Sequence, residues 1–302
     1  MHKKLAIGIL SLIFTAGLST PSWAETVIEK VARTGVLTAG TRSDAVPLSY
    51  IDARGEWAGY SVEILRLIRE RLEGELGKKV DLEFVEVKVQ ERIPKLIGEE
   101  VDIICEAVSY TWGRERYVDY SVSYGMTGTR LLAKKGSNLE TSESLIGKRI
   151  GVIPDSTNEQ VIKLVQPKAI LVPMKDNLQE ALKAVERGKI DAFAGDGLLL
   201  EGLRITLSAP NRFEVLPKTP YNREGIACMV PENDSSFRDM VNFTIVKFLQ
   251  EVVTGKGNSA DLFGSWFGND GIVRVDRDLV VNFFNYVIDS HSQIPPEDRK
   301  AE

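Results

Sequence analysis

The sequence predicts an α/β fold of two lobes, on three observations. Short β-branched runs alternate with segments of helical periodicity. The same order of elements starts again part-way along the chain. About 278 residues follow a leader-like start, enough for two cores.

The elements follow in order. The start, MHKKLAIGILSLIFTAGLSTPSWA, has basic Lys3 and Lys4, an apolar run over 5–16 and the small-x-small triplet Ser22-Trp23-Ala24. This is the pattern of a secretory signal, with cleavage expected after Ala24; the apolar run is short for a bilayer span. GVLTAG (35–40) reads as a strand entering a glycine turn. Residues 60–72 carry apolar side chains at helical spacing. VDLEFVEVKV (80–89) alternates with period two, as a strand does. A short helix over 91–97 and a strand over 101–109 follow. This β-α-β-α-β order implies right-handed crossovers and a largely parallel sheet.

The pattern then restarts with a strand at 148–153, a helix at 158–165 and a strand at 169–172. A helix at 178–187 closed by Gly188, a strand at 190–194 and a helical stretch after Asp196 come next. Strands at 213–216 and 225–230 and a long helix at 237–254 complete it, and the polar end SQIPPEDRKAE reads as a frayed tail. The first unit lacks a closing helix, which the last segment can return to supply. The expected division is 25–128 with 222–302 as one lobe and 129–221 as the other. Two crossing strands join them, with a cleft between, where pockets form.

Composition narrows the function. Residues 1–24 carry two lysines and no acid, so the net charge of −5 becomes −7 without them. A mildly acidic chain has no general attraction for nucleic acid or anionic lipid. The only histidines are His2 and His291, and there are two cysteines. That is too little for a structural zinc site, and no metal or cofactor is expected. In an exported chain Cys105 and Cys228 read as a disulfide.

The strongest local signal is VDIICEAVSYTWGRERYVDYS (101–121). A buried strand reaches Cys105, and Ala107, Ser109 and Arg114 are expected in the loop beyond it. A hydroxyl and a guanidinium together suit a carboxylate, with three donors from two side chains. The alternative is a solvated arginine beside Glu115.

This segment, with its acid, Ser-x-x-x-x-Arg and Tyr-Ser pattern, resembles the central signature of the periplasmic polar amino-acid-binding proteins of ABC transporters, solute-binding protein family 3. GTRSDAVPLSYIDARGEWAGYSVEI (40–64) resembles the family's first segment, and KRIGVIPDSTNEQ, DAFAGDGLLL and GSWFG also fit. The likeness covers nearly all of 33–267. It is strongest to the glutamate/aspartate-binding members, at TRSDAVPLSY, ERIPKL, GTRLLAKKG and the Cys228 segment.

The resemblance implies a type II periplasmic-binding-protein fold and a ligand site. Arg114 and Ser109 would clamp an α-carboxylate, and Ala107 would offer its carbonyl to the α-ammonium. Ser156 and Thr157, after Asp155, would complete the carboxylate site with helix-start amides; a Ser156–Glu159 capping box explains the same residues without a ligand. Asp196 would pair with the ammonium, or else cap the helix that follows. Arg42 and Arg92 would meet a distal carboxylate, the alternative being surface pairs with Asp44 and Glu91. Tyr50 would cover the ligand's aliphatic chain. With both guanidinium groups facing inward and otherwise unpaired, a dianionic ligand is expected to balance them.

The chain departs from the acidic-ligand pattern at Val89, Glu106, Ala107 and Leu178. Glu106 in particular can pair with a basic ligand or neutralise one of the arginines. Glutamine or a basic amino acid therefore remain alternatives. The expected function is non-enzymatic capture of an acidic amino acid for a membrane permease, by a monomer in the periplasm. An enzyme of the cyclohexadienyl-dehydratase type would need a cleft acid or base, and no histidine lies in the body of the chain. A sensory role with a separate receptor is the third possibility.

Overall fold

The computed structural model describes residues 25–291. The expected secretory signal over 1–24 and the expected frayed tail at 292–302 lie outside the described residues. Helix α1 (Val27–Thr34) opens on a full capping box between Thr26 and Glu29, which satisfies two amides that a helix start leaves unpaired. Strand β1 (Val36–Thr41) follows, then a small antiparallel sheet of β2 (Asp44–Ala45), β3 (Ser49–Ile51) and β4 (Trp57–Ala58). Helix α2 (Tyr60–Leu76), β5 (Asp81–Glu86), α3 (Arg92–Ile97) and β6 (Ile103–Ser109) complete the first run. Strands β7 (Val118–Tyr120) and β8 (Gly125–Thr127) lead to the crossing.

The second run contains β9 (Thr129–Lys134), β10 (Arg149–Val152), α4 (Thr157–Val165), β11 (Ile170–Pro173), α5 (Leu178–Glu186), β12 (Ala192–Asp196), α6 (Gly197–Ile205) and β13 (Phe213–Leu216). Strand β14 (Glu224–Pro231) returns to the first lobe, followed by α7 (Ser235–Thr254), α8 (Asn258–Phe267) and α9 (Arg277–His291).

One sheet runs β5-β1-β6-β14-β7, with β8 on β14, and another runs β11-β10-β12-β9-β13. The two-lobe architecture expected from the sequence is present. Each sheet is mixed rather than largely parallel. β1, β5 and β6 are parallel, as are β10, β11 and β12, while the strands that cross between lobes pair antiparallel. The reason is connectivity: a chain that leaves a lobe and returns must re-enter its sheet in the opposite sense. At the crossing, a Cβ on Gly128 would lie 2.0 Å from the carbonyl oxygen of Asn222. Only glycine lets the outgoing and returning segments run this close.

Strand β6 is buried along its whole length. It reaches Ser109, as the strand reading over 101–109 has it, so Ala107 and Ser109 belong to the strand and not to a loop after Cys105. Leu65, Ile68 and Leu72 of α2 and Val241, Ile245 and Leu249 of α7 are fully or almost fully buried in one core. Each such side chain removed from water stabilises the fold by about 1.5–3 kcal/mol.

Cys105 and Cys228 face each other in the β6–β14 pairing and are bonded, S–S 2.03 Å. The bond closes a loop of 123 residues that contains the whole second sheet. Constraining so long a loop in the unfolded chain predicts that the double variant Cys105→Ala/Cys228→Ala loses about 2–5 kcal/mol of stability. Urea unfolding monitored by circular dichroism measures the loss; a change within about 0.5 kcal/mol would contradict it.

Candidate functional site

A narrow cavity of about 40 Å³ lies between the lobes. Arg42, Arg92, Ala107, Ser109 and Arg114 line it from the first lobe, and Ser156, Thr157 and Asp196 from the second. These residues span more than 150 positions of sequence, and the crossing strands bring them to one place. Tyr50 is not among the lining residues; its ring meets Trp266 edge-on, with centroids 6.4 Å apart.

Local structure explains each placement. Between the register pairs Cys105–Cys228 and Ser109–Ile226, β6 holds more residues than β14. Such an irregularity turns backbone groups out of the ladder, and Ala107 lies there. Ser156 caps α4 and accepts from the Glu159 amide at 3.1 Å, but the Glu159 carboxylate turns to the Asp155 amide instead of closing the box. The start of α4 with its positive dipole end thus faces the cavity beside Thr157. Asp155 has φ 63°, a turn that directs its carbonyl to Arg114 across the cleft at 3.4 Å.

Arg114 donates to the carbonyls of Ser109 and Asp155. Among the described residues no carboxylate forms an ion pair with it. Burial, and then the nearby Arg92, hold its pKa below the usual arginine value. Two guanidinium groups of like charge in a buried place favour an anion beside them.

Asp196 ends β12 in the N-cap position of α6, yet its side chain makes no cap bond. It is almost fully buried, and Oδ1 has no hydrogen-bond partner. Burial, followed by the charge of Glu224, pushes its pKa up to about 7. A buried acceptor lacking a donor is costly, and a ligand ammonium would supply both the donor and the charge.

Arg42 and Arg92 are each about 5% exposed, so neither makes a surface pair. The expectation that only a dianionic ligand balances them is corrected by their partners. Arg42 donates to Asp44 Oδ1 at 2.8 and 3.0 Å and to Asp176 Oδ1 at 2.5 Å. Burial opposes its charge, but Asp44, Asp176 and Glu106 outweigh burial and raise its pKa. Arg92 pairs with Glu106 at 2.5 Å, and not with Glu91. Glu106 is fully buried, and its second oxygen has no partner.

Two acids that matter, Asp176 and Glu224, were not singled out from sequence, and Asp44 was named only as a surface partner of Arg42. Asp176 crosses the cleft to Arg42 and also accepts from the Val89 amide at 2.8 Å. Asp44 answers from the first lobe by accepting from the Leu178 amide at 3.2 Å. Glu224 accepts from both Ser109 and Thr157. Its position at the head of the returning strand was the available signal, because strand ends beside a crossing face the cleft.

A model of the bacterial extracellular solute-binding proteins, family 3, matches residues 37–269. The chain belongs to this family. A relative, the glutamate/aspartate import solute-binding protein of Escherichia coli (strain K12), is 29% identical over 276 residues, covering 88% of this chain and 89% of its own length. Among solved structures, an ancestral arginine-binding protein bound to glutamine superposes with a TM-score of 0.69 at 24% identity. It covers 78% of this chain and 99% of its own. An ancestral amino-acid-binding protein that is a precursor of cyclohexadienyl dehydratase gives 0.68 at 22% identity, covering 80% and 99%. The two structures share the fold.

The Asp196 environment predicts a pH effect. Its native pKa is raised, so the folded protein keeps a proton between about pH 4 and 7 that the unfolded chain has lost. Stability therefore falls as pH rises through that window. In ligand-stripped protein, the melting temperature of Asp196→Asn relative to wild type should climb from pH 5 to pH 8. Parallel pH profiles for the two proteins would contradict the assignment.

Proposed function

We propose that this chain is the extracytoplasmic binding component of an ABC importer, and that it captures L-glutamate or L-aspartate between its lobes. The observation that carries the reading is the opposition of charges in one cavity. Arg114, with Ser109, Thr157 and the α4 start, faces an α-carboxylate, and Asp196 faces an α-ammonium. Arg92 lines the same cavity and bonds Glu106 through Nε, which leaves its outer nitrogens to meet a distal carboxylate. The Escherichia coli relative, a glutamate/aspartate import solute-binding protein, supports the same ligands.

The lobes in this reading are 25–128 with 222–302, and 129–221. Ligand contacts to both stabilise closure, and the closed form docks on a membrane permease. The mature protein is a periplasmic monomer beginning after Ala24. The cleft groups bind and orient, and the reading assigns no catalytic step.

A specific observation favours L-glutamine as a second reading. Glu106 already neutralises Arg92, and Asp44 and Asp176 neutralise Arg42. A neutral amide would then meet a subsite without net charge.

Calorimetry of ligand-stripped protein against glutamate, aspartate, glutamine, arginine and histidine tests the proposal. Glutamate or aspartate should bind tightest; glutamine tightest supports the second reading, and arginine or histidine tightest contradicts both. Arg114→Ala should weaken every ligand by about 3–5 kcal/mol, a factor of hundreds or more. Chromatography of the bound ligand after incubation should return it unchanged; a new product would contradict the binding-only role.

A further inference from the structure

The two hydroxyls assigned to the carboxylate clamp share one acceptor within the protein. Ser109 ends β6 in the first lobe, and Thr157 opens α4 in the second. Both donate to Oε2 of Glu224, Thr157 at 2.9 Å. Asn222 holds the other oxygen, Nδ2 to Oε1 2.6 Å. Glu224 is the first residue of β14, on the segment that returns through the crossing.

A hydroxyl has a single proton to donate. While Ser109 and Thr157 give theirs to Glu224, neither can donate to a second carboxylate. The charge of Glu224 also acts on Arg114 and on Asp196. It thus reaches both ends of the place where an amino acid's carboxylate and ammonium would lie. An incoming carboxylate would stand beside a like charge and compete for the same two protons.

We propose that Glu224 is an internal competitor for the ligand's carboxylate, so that binding exchanges one carboxylate for another on Ser109 and Thr157. This rests on the amino-acid reading of the cleft. The exchange is nearly even for the two hydroxyls, since each charge-assisted bond gained replaces one lost. Glu224 therefore sets the affinity of the site without contributing to it. Its removal should tighten binding, whereas loss of a residue that merely supports the fold would weaken it.

The test compares wild type with Glu224→Gln by calorimetry, using whichever of the five amino acids wild type binds tightest. Thermal unfolding of each protein is recorded alongside. The amide keeps the side chain's shape but not its charge. Glu224→Gln should bind about tenfold tighter, the change that about 1.4 kcal/mol produces, with the ranking of ligands preserved. Should Glu224→Gln fail to fold, Glu224→Ala replaces it with the same expected direction. Affinity equal to or below wild type in a folded variant overturns the competitor role while leaving the amino-acid site standing. If wild type binds none of the amino acids, the reading of the cleft falls, and the proposal with it.

Discussion

Buried guanidinium groups need counter-charges, and the location of those counter-charges governs how the two lobes meet. Arg42 bridges Asp44 of its own lobe and Asp176 of the other. Each of these carboxylates also accepts a backbone amide from the opposite lobe, Leu178 for Asp44 and Val89 for Asp176. One cation and two anions thus form a reciprocal clasp at the edge of the cleft. Desolvating such groups is expensive, and once they are buried, loss of one partner costs about 3–5 kcal/mol. The clasp is therefore more informative about geometry than about net stability. It specifies one relative placement of the lobes, since a shift of the second lobe would leave Arg42 half-paired.

Strand β6 connects this clasp to the cavity. Cys105 turns to β14 and the disulfide, Glu106 to Arg92, and Ser109 to Glu224. A strand alternates its side chains between faces, so a single buried strand supplies a covalent tie, a counter-charge and a hydroxyl donor within a few residues. The disulfide fixes β6 to the strand that returns from the second lobe. Glu224, at the head of that returning strand, consequently lies within reach of both lobes. The site is assembled where the chain crosses between lobes, and its charges are distributed so that each lobe completes the other's hydrogen bonds.

Several elements were legible where periodicity was strong, but the helices α1, α8 and α9 were not singled out. The alternating run that forms β5 and the helical spacing of α2 both emerged close to the predicted positions, and Phe213–Leu216 matched its predicted range. The small strands β2–β4 and β7–β9 were missed because two or three residues carry no periodic signal, or because they lie in the crossing, where hydrogen bonding rather than amphipathicity defines them. Most cavity-lining groups were legible because they sit on motif-bearing strand ends and helix starts. Of their partners, Asp44 and Glu106 were named as possible counter-charges for the arginines, whereas Asp176 and Glu224 were not. Asp176 lies 134 residues from Arg42, and Glu224 lies 115 from Ser109. No local pattern reports a contact at such a separation. Arg92 shows what sequence leaves open: Glu91 is its neighbour and Glu106 the other candidate, and burial on β6 gives the pairing to Glu106. Tyr50 shows the converse, an aromatic near the motif whose packing partner is Trp266 on the distant helix α8.

The central claim is that a charge on one lobe is answered by a charge on the other. A double-mutant cycle on Arg42→Ala and Asp176→Ala, read by equilibrium unfolding of ligand-stripped protein, tests it most directly. The account predicts a coupling energy of about 1.5 kcal/mol or more between the two positions. Effects that add to within about 0.5 kcal/mol would show that the two side chains do not share an interaction, and would contradict it.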